Sequence, residues 1–265
     1  MRYPCSRHRM LLALLLVALS WAGLVAAAAA EPTSGHTSRH IMALHRRHAN
    51  AKQQSLNWAG YVRSGHSFTS TSASWTVPHL TTTHDGYSST WVGIDGATAT
   101  DHYLIQTGTE ADVSGGRRSY LAWWEVITPS DVAPETLFRL AIRPGDSMSA
   151  SVSKVSTGRW VMRLRNNTTG HSASHTASFA GRGLSAEWIQ EDTTVNGYIS
   201  TAPNWGSVTF RKLLLNHANP KLRPAEAVDL VDAHGTREAA TSAPTSSGDG
   251  FTVRWLATGT RTVAG

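Results

Sequence analysis

Five short segments of this chain carry conspicuous polar side chains, four of them beside tryptophans: NWAGYV (57–62), STWVGIDG (89–96), LIQTGTE (104–110), AWWEVITP (122–129) and SAEWIQED (185–192). Burying a carboxylate or an amide costs on the order of several kcal/mol unless the group is paired or put to use. The polar residues of interest are Gln106, Glu125, Glu187 and Glu191. Side chains alternate along a strand, so Glu187, Ile189 and Glu191 share one face, as do Leu121, Trp123 and Glu125. Each segment therefore presents an acid beside apolar or aromatic neighbours, an arrangement that suits a cleft. A lone strand glutamate is more often the outward residue of a half-solvated sheet. Three chemistries fit these residue types. A carboxylate with a neutral amide can activate water and hold an oxyanion in peptide hydrolysis. Two carboxylates, Glu125 and Glu191, can serve as acid and nucleophile on a sugar, which makes Gln106 dispensable. Exposed tryptophans can also bind sugar with no chemistry at all, which makes Glu191 replaceable.

Other hydrolase signatures are absent: the chain has no HExxH, no GxSxG and no phosphate-binding Walker loop. Its single cysteine, Cys5, lies in an N-terminal stretch built like a secretory signal. That stretch has Arg2, Arg7 and Arg9 without an acid, an apolar run over 10–25 and small residues over 26–30. The apolar run is shorter than the roughly 20 residues a membrane span needs. Cleavage is expected after Ala30, which leaves a mature protein with neither thiol nor disulfide. Residues 31–55 hold four basic residues, four histidines and one acid, and read as a basic linker or short pro-segment. Residues 56–265 carry seventeen basic and seventeen acidic residues, so the high isoelectric point belongs to the first 55 residues, and no nucleic-acid partner is expected.

From Asn57 onward the pattern is short and two-periodic. The runs SASWTV (72–77), DHYLIQT (101–107), SYLAWWEVI (119–127), SMSASVSKV (147–155) and RWVMRLRN (159–166) are separated by Gly, Pro, Asn, Asp and Ser. SAEWIQE (185–191), GSVTF (206–210), AVDLVD (227–232) and FTVRWL (251–256) continue the series. No helix longer than a turn or two is expected. The reading is an all-β fold, an antiparallel β-sandwich of two large sheets with concanavalin-like or jelly-roll architecture, spanning 56–265. Residues 234–250 read as a long surface loop, and His84, His102, His171 and His175 as surface residues. Asn166 and Asn167 both sit in N-x-[ST] patterns.

WVGIDG followed by LIQTG, AWWE and much later AEWIQED closely resembles the glutamic peptidase (eqolisin) family, in its bacterial-type members that lack the disulfides of the fungal enzymes. The likeness covers nearly all of 57–256, with the segments in the family's order. The resemblance implies a secreted, acid-active endopeptidase in which Gln106 and Glu191 are catalytic. It places Trp91 and Asp95 on cleft positions, matches Glu125 to an acid of the family, and sets Trp123 near the cleft. One departure stands out: the fungal enzymes carry an acid where this chain has Leu121. No cofactor and no metal are expected. The expected partners are protein or peptide substrates, with no membrane contact after signal removal, and the protein is expected to act as an extracellular monomer.

Overall fold

The computed structural model describes residues 38–39, 52–97, 102–131 and 134–256; the expected signal and most of 31–55 lie outside them. Its main strands are β1 (Trp58–Ser64), β2 (Ser70–Thr76), β3 (Gly86–Ile94), β4 (Leu104–Ser114), β5 (Arg117–Ile127), β6 (Ser147–Ser156) and β7 (Arg159–Asn166). They continue as β8 (Ser172–Ser178), β9 (Ser185–Asp192), β10 (Ser207–Leu215), β11 (Ala227–Val231), β12 (Arg237–Thr241) and β13 (Phe251–Trp255). Among the described residues the only helical element is the 3-10 turn Pro224–Glu226. The expected all-β reading holds, down to the near-identical bounds of β7 and β9.

The strands form two antiparallel layers. The first runs β10–β13–β12–β11–β1–β9–β3–β4–β5, and the second runs β8–β7–β6–β2–β10. Strand β10 belongs to both. Its residues 207–210 pair with β13, and from Arg211 onward it pairs with β2, with a register shift between Arg211 and Leu214. Lys212 takes φ 53° at that shift, a left-handed backbone that lets the strand leave one sheet for the other.

Alternation fixes what lies between the layers. Tyr61, Val92, Ile94, Ile105 and Trp188 from the first sheet meet Trp75, Met148, Val152, Trp160 and Leu164 from the second. Trp75, Trp160 and Trp188 are at most 1% exposed, and a fully buried large side chain of this kind contributes about 2–3 kcal/mol. A second, smaller apolar cluster lies on the opposite face of the first sheet: Trp58, Val62, Trp91, Leu104, Trp123, Ile127, Ile189 and Val228. A sheet that buries both faces needs a reason.

Two expectations change. Residues 234–250 are not one surface loop, because Arg237–Thr241 forms β12 between β11 and β13, with Ala239 fully buried. The stretch is poor in β-branched and aromatic residues, but two neighbouring edges recruit it, so tertiary pairing overrides propensity. His175 is not a plain surface residue; its ring stacks on Trp124 at 3.6 Å and 7°. Of the paired asparagines, Asn166 is buried and bonds Asp146 and the Ala141 carbonyl, whereas Asn167 is exposed.

The N-terminal edge of the domain is tied into the sheet. Gln53–Ser55 runs parallel to β11, pairing with residues 228–230. Lys52 donates to the Thr241 carbonyl and lies 3.6 Å from Asp229. Ser38–Arg39 pairs with Thr194–Val195, just beyond β9.

Candidate active site

The register of four strands aligns the polar residues of that second face. Glu191 on β9 lies level with Trp58 on β1 and Ser89 on β3, and Ser89 in turn with Glu110 on β4. One row along, Ile189, Trp91, Gly108 and Trp123 are neighbours. In the next row Glu187, Gly93, Gln106 and Glu125 stand side by side. Gln106 and Glu191 thus share one face, one strand apart from each other across β3, and Trp91 lies on that strand between their rows.

Hydrogen bonds then separate the acids by role. Glu191 is fully buried, and its two oxygens accept from different donors: Oε1 from Asn57 Nδ2 at 3.0 Å and Oε2 from Trp91 Nε1 at 2.7 Å. Both donors favour the ionised carboxylate, and together they fix its plane. Ser55 orients the first of them. Its hydroxyl donates to Asn57 Oδ1 at 3.1 Å, which turns the Nδ2 end toward Glu191, and it accepts the Trp58 N–H at 3.1 Å.

Gln106, also fully buried, donates from Nε2 to Glu125 Oε2 at 2.5 Å. With its Nε2 end turned to Glu125, the amide points its carbonyl oxygen the other way. Glycines give the tryptophan between the two groups its room. A Cβ at Gly93 would come within 2.9 Å of the Trp91 ring, and one at Gly108 within 2.5 Å of the Trp91 Cβ and 2.3 Å of the Thr90 carbonyl. Trp58 meets the Trp91 ring edge-on at 4.8 Å, and Trp123 Nε1 donates to Ser89 Oγ at 3.1 Å.

Of the residues singled out by sequence, Gln106, Glu191, Trp91, Trp123 and Glu125 come together on this face. Asp95 is engaged elsewhere. It sits in a left-handed conformation, φ 70°, at the end of β3, and its carboxylate accepts the backbone N–H groups of Gly183 and Leu184 at 3.0 and 2.5 Å. Aspartate tolerates that backbone better than most residues, and the bonds anchor the approach to β9. Leu121 lies level with Glu110 and is buried.

Sequence reasoning missed Asn57, Ser55, Trp58 and the two glycines. NWAGYV was conspicuous, but only the pairing of Trp58 with Glu191 shows what its asparagine reaches. Glu110 and Glu187 lie on the same face and are also fully buried. Among the described residues no group of three or more His, Cys, Asp or Glu side chains is placed to hold a metal ion.

A closed all-β sandwich with a buried glutamate–glutamine face is the architecture of glutamic peptidases, and comparison with known proteins agrees. Residues 56–255 match the model of the Peptidase A4 family. The chain is 30% identical over 230 residues to aspergillopepsin-2 of Aspergillus niger, a match covering 77% of this chain and 79% of that protein. It is 30% identical over 152 residues to scytalidopepsin B of Scytalidium lignicola, covering 55% and 56%. Among solved structures, the aspergilloglutamic peptidase of Aspergillus niger superposes with a TM-score of 0.53 at 30% identity, over 64% of this chain and 99% of that one. Scytalido-glutamic peptidase with a transition state analog inhibitor superposes with a TM-score of 0.64 at 23% identity, over 76% and 98%, a likeness of fold. The chain belongs to the Peptidase A4 (eqolisin) family of glutamic peptidases and is a peptide-bond hydrolase.

Proposed function

We propose that this is a secreted endopeptidase, active at acid pH, in which Glu191 is the general base and then the general acid. The observation that carries this reading is the pair of N–H donors, Asn57 and Trp91, on the two oxygens of Glu191. A carboxylate held in this way has a fixed direction in which to accept a proton from water. It returns that proton to the departing amine nitrogen as the tetrahedral intermediate collapses.

Gln106 positions the water and stabilises the oxyanion. An amide carries two N–H bonds, and Glu125 accepts one of them. The other suits the oxyanion, and the carbonyl oxygen suits the attacking water. Because an amide does not titrate, its part of the machinery works unchanged in acid that would protonate an imidazole base. The substrates are proteins or peptides and the enzyme works as a monomer without a cofactor.

Both reactive side chains are 0% exposed, so a substrate must displace what covers this face. We infer that the basic segment 31–55 carries, upstream of Lys52, a pro-segment that keeps the face closed until acid or proteolysis releases it. A protein beginning at Glu31 should then show a lag after transfer to acid, while one beginning at Lys52 keeps the Gln53–Ser55 strand and is active from the start. Equal latency in both removes the pro-segment.

The catalytic assignment is tested by digestion of a denatured protein between about pH 2 and 7, the range over which a carboxylate base titrates. Pepstatin and a chelator are included. Wild type should cut under both inhibitors. Glu191→Gln should fall to background, and Gln106→Ala should lose roughly 10²–10³-fold in kcat for want of an oxyanion donor. A folded Gln106→Ala protein with full activity overturns the role of the amide, and an active Glu191→Gln protein overturns that of the base.

A further inference from the structure

The charge of this domain balances in sum but not in space. The strands of the second sheet carry six cations, Lys154, Arg159, Arg163, Arg165, Arg211 and Lys212, and no carboxylate. Residues 147–186 contain no acid at all. The strands that belong to the first sheet alone, by contrast, hold eight acids, Glu110, Glu187 and Glu191 among them, against five arginines. Net neutrality hides a sandwich with one acidic and one cationic layer.

On the outer face of the cationic layer lies a trough of about 520 Å³. Strand register orders its surface in two rows. Ser72, Ser151, Arg163 and Ser174 form one, and Ser74, Ser149, Arg165 and Ser172 the other. Lys212 closes one side. The alternate residues, Ala73, Ala150 and Leu164, point into the core, which holds the cationic rows outward. Arg163, Arg165 and Lys212 are exposed, and among the described residues none of the three makes an ion pair. Arg163 and Arg165 stand about 7 Å apart along β7. Each guanidinium is flanked across the strands by serine hydroxyls, which both donate and accept; Ser74 and Ser149 already share a bond of 2.8 Å.

We propose that this trough is a binding site for an acidic polysaccharide, set on the opposite side of the sandwich from the peptidase face. Guanidinium groups recognise its anionic substituents through paired N–H donors. Serine rows match the hydroxyls of the neutral sugars between them. Two observations favour a glycan over a polynucleotide. The sheet's large aromatics, Trp75 and Trp160, are buried in the core, so the trough offers no platform on which a base could stack. Three cations in a domain of no net charge also suit a sparsely charged chain better than a duplex carrying one charge per roughly 1.7 Å.

The test uses the full domain and three probes: dextran sulfate of low substitution, about one sulfate per several glucoses, unmodified dextran of the same length, and a DNA duplex. Wild type should bind dextran sulfate and not dextran. The affinity should fall at higher salt and hold between pH 4 and 7, because neither a guanidinium nor a sulfate ester titrates there. Arg163→Gln with Arg165→Gln should lose about 10-fold or more, the scale of a lost charge-assisted contact. Arg117→Gln with Arg118→Gln, two exposed cations on the other sheet, removes the same charge and should cost less than about 2-fold. Arg163→Lys with Arg165→Lys keeps the charge but not the fork and should fall between; it also stands in if the glutamine pair lowers the Tm. Equal losses in the two glutamine pairs reduce the effect to net charge and overturn the site, as does equal binding of dextran. Tighter binding of the duplex assigns the face to nucleic acid instead and likewise overturns the proposal. None of these readouts uses peptidase activity, so the site stands or falls apart from the catalytic reading.

Discussion

Strands β9 and β8 show how differently one backbone plan is used in the two sheets. In β9, SAEWIQED, all eight positions are buried. In β8, SASHTAS, exposed positions alternate with half-buried ones. The second pattern is what an antiparallel sheet with one wet face requires, and the residues at its exposed positions are short hydroxyls that water satisfies. The first puts Glu187, Gln190, Glu191 and Asp192 out of water, where each needs a partner of its own. Burial of polar groups on both faces of a strand is costly without a use, and the use we propose is the Glu191 site. The contrast teaches where substitutions should matter: the peptidase face has little slack, the serine face a great deal.

Removing one donor from Glu191 probes the least tolerant point. Asn57→Ala should lower kcat by roughly 10–100-fold, the scale of a hydrogen bond to a charged group, with a smaller change in KM, measured by initial rates on a peptide substrate. A folded Asn57→Ala protein with wild-type kcat would show that Trp91 alone positions the base. Next in size is the packing beneath Trp91. Gly108→Ala sets a Cβ within 2.5 Å of the Trp91 Cβ and should destabilise the domain by about 1–3 kcal/mol, read as a lower midpoint in urea. An unchanged midpoint would mean that this face gives more readily than its burial implies.

Glu226 sharpens the comparison through pH. Burial pushes its carboxyl up, but hydrogen bonds from Arg63 and Arg223 outweigh burial and hold it below the usual carboxylate range. A depressed folded pKa stabilises above the unfolded value, and that stability is lost as pH falls through the folded one. Glu226→Gln should therefore cost about 1–2 kcal/mol at pH 7, given the solvent around Arg223, and the gap to wild type should close in acid. Chemical denaturation at pH 7 and pH 3 reads both; a constant gap would assign the effect to packing. The smallest change is expected on the other sheet, where Ser74→Ala breaks a half-exposed hydroxyl pair with Ser149. It should move the midpoint by no more than about 0.5 kcal/mol.

Much of this was legible from residue order because strand parity is a strict rule. Placing Glu187, Ile189 and Glu191 on one face, and Trp123 with Glu125 on another, required only the period of two, and both groupings hold. Parity does not choose between Glu187 and Glu191, which sit on the same face. The family likeness separated them, and the structure adds a physical difference in the donors of Asn57 and Trp91. Those donors were hidden for a simple reason: Asn57 lies 134 residues from Glu191 in sequence, and only the pairing of β1 with β9 joins them. Asp95 shows what residue order alone does not reveal, since its carboxylate accepts the backbone N–H groups of Gly183 and Leu184. Strand β12 was missed because its residues do not prefer a strand, and its neighbours impose one.

Strand β10, spliced into both sheets, has a consequence for survival. Neither layer can peel away without tearing a strand the other also needs, so opening should be all-or-none. Native-state hydrogen exchange would show it as one common protection free energy across both sheets. A peptidase cuts chains that are locally undone, and its own copies are the substrates nearest to hand. A domain with no half-melted state presents those copies with almost nothing to digest.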